Sequence, residues 1–219
     1  MTLQEYPATA RRRAFLAGLV CFCALALCSC SRSTQSAARA GSGFHKTGAD
    51  ADVPRDRPPT AKTLYSMAEI LATQGKDAEC EFVLRRCVQG YPPFTPAYNR
   101  LAELQMRQGR IHEAIDTLSA ALRVRPRDPV LRNNLGMCLL LRKEYGQALE
   151  HFTAAAGLVP ESVKYRANLA TALGLLGRQE ESLALLQQVL PPDKAEHNAE
   201  VLRNAYDQES YRTTDTPPA

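Results

Sequence analysis

From about residue 61 to residue 206, apolar residues recur at three- and four-residue spacing, in segments divided by short polar stretches that carry Gly or Pro. This is the period of helices that bury one stripe. The pattern predicts helices at 61–74, 77–90, 95–108, 111–124, 129–142, 145–158, 163–176 and 179–190. Alternate segments repeat one another. Odd segments carry a small residue at Ala68, Ala102, Gly136 and Ala170; even ones carry Cys80, Ala114, Ala148 and Ser182. Four residues on stand Leu84, Leu118, Phe152 and Leu186, and then Cys87, Ala121, Ala155 and Val189. Small side chains let two helices approach closely, and the larger ones fill the space between them. Pro92, Pro126 and Pro160 close even helices, because the ring forbids continuation and biases the preceding residue away from the helical region. In the fourth copy Lys194 holds that place, and Pro191-Pro192 end the helix earlier. The turns read Gln-Gly-Lys (74–76), Gln-Gly-Arg (108–110), Arg-Lys-Glu (142–144) and Leu-Gly-Arg (176–178), with Gly suited to positive φ. A ninth helix is expected over 193–206, with Ala195, Ala199, Leu202 and Tyr206 on one stripe. From Asp207 the chain is polar, and 207–219 reads as a flexible tail.

A helical hairpin repeated about every 34 residues, with small residues and a proline at fixed places, resembles the tetratricopeptide repeat (TPR). The copy at 129–162 carries the resemblance best: Leu135-Gly136, Leu139, Tyr145, Ala148, Phe152, Ala155 and Pro160 fall in the family's order. The resemblance implies an all-α, right-handed solenoid of about four repeats plus a C-terminal capping helix, over 61–206. A cap is needed because the last unit of a solenoid otherwise exposes its apolar face. In the family the first helix of each unit lines a concave groove. Carried onto this chain, that implies Lys62, Tyr65, Glu69, Asn99, Arg100, Glu103, Met106 and Arg107 in the first two units. The last two contribute Asn133, Asn134, Met137, Leu140, Leu141, Asn168, Thr171 and Leu175. Such a groove is polar at its N-terminal half. At the other half Met137, Leu140, Leu141 and Leu175 are expected to form an exposed apolar floor, a surface to which adaptable Met is suited. Asn99, Asn134 and Asn168 are expected to pair with an extended peptide backbone, so that an amphipathic helix or extended segment of a protein partner is the ligand. The same positions also admit a supporting role against neighbouring helices, or a C-terminal helix folded back into the groove. The lysine-rich clamp that reads a C-terminal carboxylate in chaperone-bound TPR domains is not evident, since Lys62 stands alone.

The first sixty residues differ in kind. Arg11-Arg12-Arg13 precedes an apolar run, Ala14 to Leu27, that ends in Leu27-Cys28-Ser29-Cys30. Charge, a short apolar core and small residues describe an export signal over 1–29; a spanning helix needs about 20 apolar residues. Leu-x-Ser-Cys resembles the bacterial lipobox, which implies that Cys30 is acylated and anchors the mature chain to a membrane through lipid such as palmitate. Cys28 is the weaker candidate, with bulky Leu27 before it, and a single-span anchor with merely apolar cysteines is the alternative. Arg12-Arg13-Ala14-Phe15-Leu16 also resembles the twin-arginine export motif, leaving that route and the general one open. In lipoproteins of this kind Ser31, rather than Asp, after the cysteine implies an outer-membrane destination. Residues 30–60 are rich in Ser, Ala, Gly, Arg and Pro and read as a disordered tether. As a flexible coil it spans on the order of 30 Å, and up to about 100 Å when stretched.

Formal net charge is +4, yet from residue 61 onward basic and acidic residues number 19 each. A neutral domain offers no electrostatic footprint for nucleic acid. Of seven cysteines, four lie before residue 31. Cys80 and Cys87, seven residues apart on one helix, place their Cα atoms about 10.5 Å from each other, too far for a disulfide. They and Cys138 are expected as buried free thiols. His45, His112, His151 and His197 are scattered without a zinc-type pair, and no phosphate loop or nucleophile elbow fits an all-helical pattern. Glu180-Glu181 reads as a solvated face. No enzyme, metal, cofactor or small-molecule substrate is expected.

Finally, 132–183 with its Asn134-Leu135-Gly136 and Asn168-Leu169-Ala170 pair, followed by 190–203 with a proline-containing link to an Asn-bearing last helix, resembles the TadD lipoprotein family of the tight-adherence (Flp) pilus assembly system. The resemblance is strong over the C-terminal half and only that of a generic TPR elsewhere, and TPR lipoproteins in general share much of it. It implies a periplasm-facing outer-membrane lipoprotein whose partner is a secretin or another pilus-assembly component. A pilotin-like lipoprotein of type IV pili is an alternative. So is an adaptor for outer-membrane protein insertion or for cell-wall enzymes.

Overall fold

Thr60, Asp128 and Ser162 each turn a side-chain oxygen onto backbone N–H groups that the first turn of a helix cannot satisfy internally. Asp128 accepts from Val130 at 3.0 Å and Leu131 at 3.1 Å. The helices they open belong to a series of hairpins in a computed structural model that describes residues 58–214, with side chains to 211. Cys30, the export signal, the twin-arginine pair, most of the tether and the last five residues lie outside the described residues.

The described chain is all-helical: α1 (Ala61–Thr73), α2 (Asp77–Gly90), α3 (Thr95–Arg107), α4 (Ile111–Val124), α5 (Pro129–Leu141), α6 (Tyr145–Leu158), α7 (Val163–Leu175), α8 (Gln179–Val189) and α9 (Pro192–Thr214). Each helix packs on the next, and α3 also touches α5, and α5 touches α7. The eight expected hairpin helices are all present, within a residue or so of their expected ends. The last helix is not as expected. It continues through the polar stretch after Tyr206 to Thr214. One reason is visible: Glu209 of α9 pairs with Lys143 in the α5–α6 turn at 2.6 Å, giving that extension a partner.

Three of the hairpin turns place Gly75, Gly109 and Gly177 at φ 71°, 77° and 81°. The other turn puts Lys143 there at φ 64°, a left-handed conformation that costs an L-residue strain.

Close approach is enforced by the small positions. Ala68, Ala102, Ala114, Ala148 and Ala170 are wholly buried. A Cβ on Gly136 would stand 2.7 Å from the ring of Phe152, itself fully buried. Between units, Glu81 of α2 binds Arg110 ahead of α4, while Arg85 bridges Glu81 at 2.6 Å and Glu113 at 3.0 Å. The Arg110 guanidinium holds the Glu81 carboxyl below the usual carboxylate range, against the effect of burial. At the C-terminal end, α9 lays Ala195, Ala199 and Leu202 into the same core as Leu175 and Leu186. Gly174 lets Leu202 in, because an added Cβ would lie 2.8 Å from it.

Cys80, Cys87 and Cys138 are free and buried, with burial pushing the Cys138 thiol up to about 12. Replacing Gly136 by Ala forces the Phe152 ring to move within a closed core, and should cost about 1–3 kcal/mol in chemical denaturation. Adding Phe152→Leu should recover part of that loss. If Gly136→Ala unfolds like the unmodified chain, this contact does not set the hairpin spacing.

Candidate functional site

The first helices of successive units, α1, α3, α5 and α7, set their fifth and sixth residues side by side. Asn134 donates to Asn99 at 3.1 Å, Asn133 to Asn134 at 3.2 Å, and Asn168 to Asn133 at 2.7 Å. The interhelical bonds join residues 35 apart, one more than the repeat length, so the ladder steps sideways as it rises. Asn133 is 1% exposed and sits at the middle of the chain of bonds. Burying three amides costs little here because each meets another.

This corrects the expectation for the asparagines. Asn133, Asn134 and Asn168 are buried and spend their polar groups on one another, not on a peptide backbone. Half-buried Asn99 alone ends the ladder with an amide N–H that has no acceptor among the described residues. The expected apolar floor is corrected as well. Leu140 and Leu175 are 8% and 7% exposed, and belong to the core that includes α9. Met137 and Leu141 are half-buried, Met137 packed on that core. Thr171 returns its hydroxyl to Ala167 O at 2.9 Å, and Met106 also packs on the core. Exposed Lys62 stands apart, and exposed Arg107 reaches Asp77 at 3.5 Å. An apolar face on a helical wheel is open only if no neighbour covers it, and here neighbours do.

The N-terminal half is different. Arg100 of α3 stands 2.8 Å from Glu69 of α1 and 3.3 Å from Glu103. The contact to Glu69 lacks the alignment of a hydrogen bond, and Glu69 Oε1 is buried with no donor among the described residues. Tyr65 closes one side of this cluster, its ring edge-on to Phe94 at 5.7 Å. Burial, then the Glu69 carboxylate, raises the Tyr65 phenol above its ordinary value.

Lys164 is half-buried on α7, in the last unit. Burial lowers its ammonium below the usual lysine range, while the Glu103 carboxylate draws it upward. It makes no ion pair among the described residues. Sequence reasoning passed over Lys164, although it occupies the same position in its unit as Lys62 in the first. The arrangement thus brings Tyr65, Glu69, Arg100 and Glu103 together, and leaves the Asn99 amide N–H and the Lys164 ammonium without a partner among the described residues. Fixed polar groups of both signs, partly buried, suit recognition of a polypeptide more than bond making. Among the described residues no group of three His, Cys, Asp or Glu side chains could hold a metal, and no helix is long and apolar enough to cross a membrane.

Residues 99–162 match the tetratricopeptide-repeat family. The chain is 33% identical over 94 residues to human Superkiller complex protein 3, across 43% of this chain and 6% of that one. It is 30% identical over 115 residues to the CTR9 homolog of Arabidopsis thaliana, covering 51% and 10%. With mouse protein O-mannosyl-transferase TMTC1 it shares 28% over 138 residues, covering 61% and 15%. The chain therefore spans only a small part of these relatives' lengths. Among solved structures, YrrB, a TPR protein with an unusual peptide-binding site, aligns with TM-score 0.57 and 19% identity over 70% of this chain and 80% of its own. The MamA RS-1 ArsTM double mutant aligns with TM-score 0.55 and 19% identity, covering 66% and 79%. The fold is a TPR solenoid built of the repeats the sequence carries.

Replacing Asn133 by Ala strands a donor and an acceptor in the core, and should lower stability by about 2–4 kcal/mol in urea unfolding. Asn99→Ala, at the ladder's half-buried end, should cost under about 1 kcal/mol. Equal losses at both positions would contradict the ladder as a structural spine.

Proposed function

We propose that this chain is a membrane-anchored TPR scaffold whose concave face, at its N-terminal half, grips one segment of a protein partner. The observation that carries the proposal is the partly exposed cluster of both charges there, Glu69, Arg100 and Glu103, beside half-buried Asn99. The Glu103 carboxylate, its side chain 51% exposed, can accept a backbone N–H, the half-buried Asn99 amide can donate to a backbone carbonyl, and the Lys164 ammonium can meet a carboxylate. An extended segment carrying an acidic residue fits all three, and repeat solenoids use their concave surfaces for binding in this way.

The anchor and the setting rest on the sequence. The lipobox resemblance at Leu27–Cys30 supports acylation of Cys30, and the resemblance of 132–203 to the tight-adherence lipoproteins supports a place in Flp pilus assembly at the outer membrane. In that setting the partner is a secretin subunit, held by the groove while the tether spans from the bilayer.

Two measurements test the two halves of the reading. Cys30→Ala should move the chain from the membrane to the soluble envelope fraction; continued membrane fractionation would remove the lipid anchor. A photo-crosslinking side chain at Glu103 should capture a secretin subunit in the native envelope, whereas one at exposed Glu150 on α6 should not. Capture of an insertion-machine barrel or a cell-wall enzyme at Glu103 would replace the pilus role with that of an adaptor. Equal capture at both positions would reject the groove.

A further inference from the structure

We propose that the N-terminal face of the solenoid, formed by α1 and α2, pairs with the same face of a second copy of this chain. The proposal is independent of the groove. Met67 and Ile70 on α1 are 51% and 58% exposed, and Phe82 on α2 is 68% exposed. Met67 and Phe82, together with Leu64 and Leu71, border an open depression of about 470 Å³.

Repeat arithmetic shows what this face is. Met67 and Ile70 hold the positions of Leu101 and Leu104 in the second unit and of Leu135 and Cys138 in the third, all four of them buried. Leu101 and Leu104 lie in one core with Val83, Leu84 and Cys87 of α2, the preceding unit's second helix. The first unit thus keeps the residues a repeat uses to stack on its predecessor, with no predecessor among the described residues. It also adds to them. Phe82 stands where the other units have Asp116, Glu150 and Ala184, none of them large and apolar. A unit that ended in water would carry a polar outer face there. Contiguous apolar surface of this kind marks a contact.

Charge decides the occupant. Glu79 and Arg86 flank Phe82 and Val83 on one face of α2, and neither makes an ion pair among the described residues. They are seven residues apart, about 10.5 Å along the axis. When two α2 helices run antiparallel about a two-fold axis between Phe82 and Val83, Glu79 of each copy faces Arg86 of the other. The aromatic ring of each enters the apolar depression of its mate. A two-fold interface must be self-complementary in this manner. A bilayer would leave Glu79 unmatched. Of the chain itself, residues 31–57 offer only Phe44 and Val53 as large apolar residues. The apolar run Ala14 to Leu27 is taken as removed with the export signal, and this choice of occupant rests on that reading.

Sedimentation velocity of the purified full chain across concentration tests the pairing. The mass should rise from one copy to two. Phe82→Asp, which only restores the residue type of Asp116, should give a single copy throughout with unchanged circular dichroism. Glu79→Arg or Arg86→Glu alone should weaken the dimer at least about tenfold, and the double exchange should restore it, because opposite charges face each other again. A single copy at every concentration overturns the proposal. So does a double exchange no tighter than the single variants. Flotation on phosphatidylglycerol vesicles that Phe82→Asp abolishes, with the unmodified chain still one copy, assigns the face to a membrane and overturns it too.

Discussion

A two-helix hairpin has apolar surface on both sides and can bury only part of it within itself; the rest must meet a neighbour. In the interior this is met by repetition, since each first helix seats its Leu or Cys against the second helix of the unit before it. Spacing is then set by the smallest residues at the contact. Where Gly136 faces the Phe152 ring there is no room for one more carbon, so hairpin geometry and stacking distance are fixed together.

The two ends meet the same constraint differently. At the C-terminal end α9 supplies a lid, admitted by Gly174 and Gly177, whose added Cβ atoms would collide with Leu202 and Tyr206. That lid joins Leu175 to the core and, through Glu209, reaches back to Lys143. At the N-terminal end nothing among the described residues covers the stacking residues of α1 or the ring of Phe82. A chain that closes one end with a dedicated helix and leaves apolar side chains on the other is polarised along its length.

The concave face is polarised in the same direction. Toward the C-terminus its polar groups are consumed by the asparagine ladder and its leucines by the core. Toward the N-terminus Glu69, Arg100 and Glu103 bring charges of both signs to a partly buried surface. Ladder and cluster are continuous: Tyr65 and Arg100 hold the same fifth and sixth positions as Asn99 and Asn134. The same sideways step therefore forms a structural spine in three units and, in the first two, relates Tyr65 to Arg100.

Helix positions, small contacts, three glycine turns and the need for a last helix could be read from the chain, because each depends on residues close in sequence or on the repeat itself. Which exposed-looking residues stay exposed could not. Helical periodicity gives the direction of Asn133 or Leu140 from its own axis, while burial depends on how far the neighbouring helix is rotated. That rotation, expressed in the 35-residue offset of the asparagine bonds, turned a presumed peptide rack into a spine. Lys164 and Phe82 stood in the sequence at positions that alignment of the repeats would have singled out. Only the stacked helices bring the lysine toward Glu103, a unit and more away, and leave the phenylalanine beside a face with nothing stacked on it among the described residues.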